Sequence, residues 1–299
     1  EAAVFPDVWI SRLVVLAFLH DFGKANHGFQ ERTDGHIAEA IFLLKGKVHR
    51  ESGLDALDTW SVGGAAMLLR VALGHHGEPP LFQNSDKFAR FWAANARRAP
   101  VLAVAELVAQ SRAQWPEAFS PGGPVLPDAM SPFWHAWLGL LQLADWLGSD
   151  EAADAFPFSL ETDGPRLPFA RKAAERRISG IRFDVTSMRS ALPRHLDFSA
   201  ISDYQPTEIQ QTSSLPNGPV VVLEAETGAG KTEAALWRFA RLFAEGKVDA
   251  LYFALPTRVA ASQIHDRVNR IARRLFGVAA PEVVRALPGD ILAGDAKAF

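Results

Sequence analysis

Apolar residues recur at helical spacing from Val8 to Asp21: Trp9, Leu13, Leu16 and His20 share one stripe, with Ile10, Val14, Ala17 and Asp21 beside it. The pattern predicts a helix that ends on a His-Asp doublet, at or next to its buried face. A second helical segment opens at His36 and runs through Ile37, Ala40, Ile41 and Leu44. A third, Val62 to Leu73, is ended by Gly74 and followed at once by His75 and His76. Phe88 to Arg98 and Val101 to Arg112 predict further helices, and Pro121 to Pro132 a loop rich in Pro and Gly. Pro132 to Leu147 is strongly amphipathic, with Trp134, Leu138, Leu141 and Asp145 along one side.

The rhythm then changes twice. Between 151 and 200, Arg166, Arg171, Lys172, Arg176, Arg177, Arg182, Arg189 and Arg194 face few acids, which describes a basic connector with room for one helix. From about 201, Val220-Val221-Val222-Leu223 is a short β-branched run of the kind found in buried parallel strands. Thr232 to Phe243 predicts a helix, Leu251 to Leu255 a second strand and Arg258 to Leu275 a second helix. Strand, loop, helix, strand, helix opens an α/β sheet. The expected organisation is an α-helical domain over 1–150, a basic connector over 151–200 and the first part of an α/β domain over 201–299.

Composition adds bounds. The chain has 299 residues, 48% hydrophobic and 22% charged, as in ordinary globular proteins, and its net charge of -3 gives no global signal for nucleic acid, although local patches do such binding. It has no cysteine, which excludes disulfides, thiolate metal sites and cysteine nucleophiles and fits a reducing, cytoplasmic compartment. No apolar run reaches membrane-spanning length, so no membrane partner is expected. The opening Glu1-Ala2-Ala3-Val4 lacks an initiating Met and is no signal peptide, which points to a chain trimmed at its front, and its abrupt ending to one trimmed there too.

Asp145 is the sharpest chemical clue. An acid on the apolar stripe of a helix is costly unless a buried Arg, a capping role or a metal compensates it. His20-Asp21 or His75-His76 alone says little. Together, imidazoles and carboxylates at helix ends or on buried faces suit divalent transition metals, and adjacent ligands diverge enough for each doublet to touch two ions. Two ions a few ångström apart can stabilise both the attacking and the leaving oxygen of a phosphodiester.

The order His20-Asp21-Phe22-Gly23-Lys24, then His36 opening a helix, then His75-His76, then Ala144-Asp145-Trp146 resembles HD-domain phosphohydrolases, and more narrowly the HD nuclease of the type I CRISPR-associated helicase-nucleases. That resemblance implies an α-helical HD domain holding two divalent metal ions, with Mn, Fe, Co and Ni all admissible. It implies that Asp21 bridges both ions, that His20 and Asp145 complete one and that His36, His75 and His76 complete the other. Lys24 would lie close to the scissile phosphate. His27 and His49 compete with His36 for its place and are expected to be solvated. The family also has a His ligand upstream of the doublet; no His precedes His20, so the set is one short.

Ala225-Glu226-Thr227-Gly228-Ala229-Gly230-Lys231-Thr232 matches a phosphate loop between a strand and a helix. Backbone N–H groups and the helix N-terminus would hold phosphate oxygens, Lys231 would reach the β/γ phosphates and Thr232 would bind Mg²⁺. Tyr204 to Gln210 resembles the adenine-reading motif of superfamily-2 helicases, with Gln210 as reader, and Leu255-Pro256-Thr257-Arg258 their first DNA-contacting motif. The resemblance thus implies a partial RecA-like domain using ATP and Mg. After residue 275 no Asp-Glu-x-His or Asp-Glu-x-Asp pair occurs and no arginine finger can be placed, so this stretch is expected to bind ATP without unwinding DNA. The partners implied are single-stranded DNA and a Cascade-type crRNA-guided surveillance complex that exposes it. An HD phosphohydrolase of free nucleotides and a non-catalytic ATP-gated DNA-binding module are the rival functions.

Overall fold

A computed structural model describes residues 6–77, 79–81, 85–149, 156, 166–180, 184–215, 218–287, 290–293 and 296–298. Of the expected basic connector, Arg182 and most of 151–165 lie outside the described residues. The chain divides into two compact units, Glu1–Arg177 and Ile178–Phe299. Among the described residues no helix is long and apolar enough to cross a membrane.

The first unit is helical. Helix α1 (Asp7–Leu19) begins with an acid in its first turn, where a carboxylate meets the positive end of the helix. Short helices α2 (His27–Gln30), α3 (Ile37–Ala40) and α4 (Gly46–Glu51) follow, with 3-10 turns at Phe22–Ala25, Ile41–Leu44 and Leu54–Trp60. Then come α5 (Gly64–Leu73), a 3-10 turn at Gly74–His76, α6 (Ala89–Trp92), α7 (Pro100–Gln114) and α8 (Phe133–Gly148). Their apolar stripes meet in one core that buries Leu16, Leu19, Phe22, Leu57, Trp60 and Leu69.

Two of the expected helices are shorter than their apolar patterns. Phe88–Arg98 is α-helical only over Ala89–Trp92, because Asn95 closes a turn in which its Oδ1 accepts from the N–H groups of Arg97 and Arg98 at 2.8 and 2.9 Å. An Asn side chain that satisfies backbone donors locally competes with the helix. Helix α5 starts at Gly64 and not at Val62, because Gly64 takes a φ of 72° and Asp58 Oδ1 accepts from Ala65 N at 3.0 Å.

Helix α9 (Arg166–Gly180) crosses the boundary between the units. The second unit contains α10 (Thr186–Ser190), α11 (Glu208–Ser213), α12 (Lys231–Ala244) and α13 (Arg258–Phe276), around a core that includes Phe198, Leu236, Trp237, Phe243, Leu275 and Phe276. Arg189 of α10 donates to the Phe243 and Val248 carbonyls and to Asp249, which closes the C-terminal end of α12. The expected strands at Val220–Leu223 and Leu251–Leu255 do not form. Both stretches lack ladder partners among the described residues, with Val220, Val222 and Tyr252 exposed. A strand exists only where a neighbour takes up its N–H and C=O groups. Among the described residues the paired strands form an antiparallel meander of β1 (Val284–Leu287), β2 (Asp290–Ala293) and β3 (Ala296–Ala298).

Buried Arg12 ties α1 to the loop before α8. Its Nε donates to Ala118 O at 3.1 Å, its Nη1 to Pro124 O at 2.7 Å, and its guanidinium lies over Trp60. Arg12→Ala removes charge-assisted bonds and takes the donor from Ala118 O, while Pro124 O keeps Trp9 Nε1, so it should cost about 3 kcal/mol. Urea denaturation checks this, and a loss below about 0.5 kcal/mol would show that Ala118 O finds another partner.

Candidate functional site

The predicted metal-ligand side chains sit at helix ends and meet in the first unit. His20 is the C-cap of α1, and Asp21 opens the 3-10 turn that follows. His36 is the N-cap of α3, His75 and His76 form the 3-10 turn after α5, and Asp145 lies in the last turn of α8. Ligand atoms of Asp21, His36, His75 and His76 lie within 4.8 Å of one another, as do those of His20, His75 and Asp145. Asp21 Oδ1 faces His36 Nε2 at 3.1 Å and His75 Nε2 at 3.5 Å, while its Oδ2 faces His20 Nε2 at 3.3 Å. Asp145 Oδ1 lies 3.6 Å from His20 Nε2. His75 is common to both groups.

The ring tautomers are set from behind. His20 Nδ1 donates to Ala17 O at 2.6 Å and His75 Nδ1 to Ala72 O at 2.9 Å, which turns each Nε2 inward. His20 Nε2, Asp21 Oδ1, His36 Nε2 and His75 Nε2 are buried and have no hydrogen-bond partner. Buried polar atoms are normally satisfied, and a converging set of bare lone pairs from imidazole and carboxylate is the donor set a divalent transition metal takes. The residues present fit such an ion.

Charge is finely placed around Asp21. Burial works against its ionised form, but His20, His36 and Lys24 outweigh that and hold its carboxyl well below the usual range. Burial also opposes the charged form of His20, yet Asp21, the Ala17 carbonyl and Asp145 raise its pKa. For His75 burial dominates, and with His20 and His76 nearby its pKa is lowered despite Ala72, which favours the neutral ring that ligates metals. Lys24 pairs with Asp21 Oδ2 and keeps 41% of its side chain exposed, so its ammonium remains open to an incoming anion.

Several supporting residues escaped the sequence pattern. Gln142, one turn before Asp145 on α8, donates to His75 O at 2.6 Å and fixes the His-His turn. Its signal was a lone amide at i−3 from an acid on an apolar helix. Fully buried Asn26 donates to Gly23 O and Gly35 O and accepts from Phe29 N, so one side chain joins the doublet turn to the loop before His36. His27 and His49, expected to be solvated, are both buried. His27 Nε2 meets Ala93 O at 2.9 Å, and His49 bridges Leu43 O and Asp58. Each has a carbonyl partner within reach, which offsets the desolvation of the ring.

In the second unit, residues 226–230 form the predicted loop at the N-terminus of α12, with Gly228 and Gly230 at φ of 89° and 81°. Lys231 Nζ folds back onto Ala225 O at 2.7 Å and Glu226 O at 2.8 Å, and Thr232 is half-buried in the first turn. Buried Gln210 is engaged: its Oε1 accepts from Thr207 N in a capping box, and its Nε2 donates to Gly230 O at 3.2 Å. Thr257 is the N-cap of α13, its side chain accepting from Ala260 N, and Arg258 is the exposed first residue of that helix.

Residues 4–153 match the family model for the Cas3 HD domain, and residues 203–290 that for DEAD/DEAH box helicases. The chain is 29% identical over 218 residues to the CRISPR-associated endonuclease/helicase Cas3 of Escherichia coli (strain K12), covering 70% of this chain and 24% of that protein. It is 28% identical over 302 residues to the Thermus thermophilus protein of the same description, covering 89% of this chain and 30% of the other. The chain thus spans less than a third of the length of either relative. The crystal structure of T. fusca Cas3-ATP superposes with a TM-score of 0.56 at 22% identity, covering 91% of this chain and 32% of that one, which shows a shared fold.

Gly23 has a geometric reason for its place in the motif. A Cβ there would lie 1.9 Å from the His36 carbonyl oxygen and 2.9 Å from its carbon, so only glycine lets the doublet turn approach the His36 backbone this closely. Gly23→Ala should push His36 away and lower Mn²⁺ affinity about tenfold or more, as loss of ligand-orienting contacts does. Calorimetric titration measures this; unchanged affinity would mean that the close approach does not set the position of His36.

Proposed function

The chain belongs to the Cas3 HD family, and from that membership we propose that it supplies the metal-dependent nuclease and the ATP-binding helicase portion of a protein that degrades single-stranded DNA in type I CRISPR interference. The observation that carries the proposal is the set of buried, partnerless ligand atoms around Asp21. Asp21, His36, His75 and His76 would hold one divalent ion (Mn, Fe, Co or Ni), and His20 and Asp145, with the second oxygen of Asp21, the other. Such ions, when bound, supply the Lewis acidity that hydrolysis of a phosphodiester requires. The chain's own residues do the rest. The Ala17 and Ala72 carbonyls fix two ring tautomers, Gln142 holds the His-His turn, and Lys24 offsets negative charge gathering on the diester.

In the second unit, ATP with Mg would draw Lys231 off the Ala225 and Glu226 carbonyls onto the β/γ phosphates, with Thr232 beside the cation and Gly228 and Gly230 leaving room for the phosphate chain. Gln210, joined to Gly230 O, would set the loop against the adenine side. A Cascade-type complex would present the displaced DNA strand in the cytoplasm.

Asp21→Ala in the full-length protein should abolish metal-dependent cleavage of single-stranded DNA, as should a chelator. Retained cleavage would remove the proposed role of the centre, and hydrolysis of free nucleotides with single-stranded DNA left intact would move the function to a nucleotide phosphohydrolase. Lys231→Ala should abolish ATP binding, read by a fluorescent ATP analogue, while ATP-independent nicking survives. Loss of both activities would contradict two separately built sites.

A further inference from the structure

The loop between α2 and α3 carries a side chain that the metal centre itself does not use. Arg32 is the one non-glycine residue with a positive φ, 58°, among the described residues. The loop holds it there: Arg32 N donates to Phe29 O, Thr33 N and Asp34 N both donate to Gly28 O, and Asn26 Nδ2 donates to Gly35 O. This left-handed conformation suits glycine and is disfavoured for an arginine. A rigid, strained backbone is a poor choice for a side chain with nothing to do. Yet Arg32 is exposed and its guanidinium has no ion-pair or hydrogen-bond partner among the described residues.

What surrounds it gives the strain a purpose. Arg32 lines an open cleft of about 480 Å³ with Phe29, Gln30 and Asp34. Phe29 is the wall shared with the metal centre: its ring lies edge-on to His36 with centroids 5.0 Å apart, and the Lys24 ammonium is 5.9 Å from its centre. The cleft therefore adjoins the place where a scissile phosphate would sit. An aromatic wall beside an unpaired guanidinium is the pairing that holds one unit of a single strand, the base against the ring and the phosphate on the cation. Asp34 shares the cleft, where its carboxylate is placed to accept a hydrogen bond from an exocyclic base amine while Arg32 takes the phosphate.

We propose that the cleft of Phe29, Gln30, Arg32 and Asp34 is a nucleotide subsite of the nuclease, in which Arg32 binds the backbone phosphate next to the one being cleaved. This rests on the nuclease reading of the metal centre. Lys24 meets the scissile diester and Arg32 its neighbour, so the substrate must be a strand with consecutive phosphates.

The test compares two substrates in the full-length protein with Mn²⁺: bis(p-nitrophenyl) phosphate, a diester with no neighbouring phosphate, and a single-stranded oligonucleotide. Arg32→Gly keeps the backbone conformation and relieves its strain, so loss of folding does not confuse the result. It should raise KM for the oligonucleotide about tenfold, the scale of one charge-assisted hydrogen bond, with kcat and hydrolysis of the small diester unchanged. Arg32→Lys should recover most of the loss. Equal losses on both substrates, or no change on the oligonucleotide, overturn the proposal while leaving the nuclease reading intact. Should the unaltered protein hydrolyse neither substrate, the nuclease reading falls by itself. Binding of a short single strand then decides the subsite: Arg32→Gly should reduce the slope of log affinity against log salt by about 0.7, the share of one single-strand phosphate, and an unchanged slope overturns it.

Discussion

Bare lone pairs in a buried place are the constraint around which the first unit is built. His20, His36 and His75 each turn an unpartnered Nε2 toward Asp21, whose Oδ1 is also without a hydrogen bond. Groups of that kind cost free energy when buried unless something completes them, and a protein keeps them only where the cost is recovered on binding. Much of the surrounding structure keeps those atoms in place. Arg12 anchors the helix that delivers the doublet, the missing Cβ of Gly23 lets the next turn close on His36, Asn26 ties that turn to the loop beyond, and Gln142 grips the backbone of His75. None of these contacts a ligand position from the front. Each restricts where one of these side chains can point.

Much of this was legible in the sequence, for a physical reason that also marks the limit. Helices are local, so the stripes from Val8 to Asp21 and from Pro132 to Leu147 foretold both the elements and the faces carrying His20 and Asp145. An acid on an apolar stripe is conspicuous because it is unfavourable there, and Asp145 does come to rest against His20. What stayed hidden depends on partners distant in the chain. The position of His27 is set by the Ala93 carbonyl, 66 residues on, which nothing nearby in sequence announces. The strain at Arg32 is invisible in a string of letters. Val220–Leu223 and Leu251–Leu255 look like strands because β-branched and aromatic residues suit a pleated sheet, but pairing is not encoded in the segment that is paired. Asn95 differs in being local: its side chain takes up the Arg97 and Arg98 N–H groups and so stops the helix that the apolar residues before it suggest.

The second unit obeys a tighter local logic. Gln210 stands at the meeting of a capping box and a phosphate loop, and a Cβ at Gly230 would lie 2.2 Å from its Nε2. The glycine that frees the loop is therefore also the glycine that admits Gln210, and the two motifs, 20 residues apart, form one object. Arg238 extends the arrangement by donating to the Ser213, Leu215 and Gly218 carbonyls. A change at either motif is felt at the other, so the effects of substitutions at the two are coupled.

Most side chains of the first unit's cluster lie at C-terminal helix ends, with His36 at the N-cap of α3, whereas the phosphate-loop sequence lies at an N-terminal end. His20, the His75-His76 turn and Asp145 lie at the C-terminal ends of α1, α5 and α8, helices of 13, 10 and 16 residues. Those ends carry partial negative charge from unsatisfied carbonyls and favour cations. The phosphate loop lies at the N-terminal end of the 14-residue α12, where N–H groups and partial positive charge favour anions. Among the described residues Asp21 and Asp145 are the carboxylates of the two ligand groups, and the three helix ends add partial negative charge beside them.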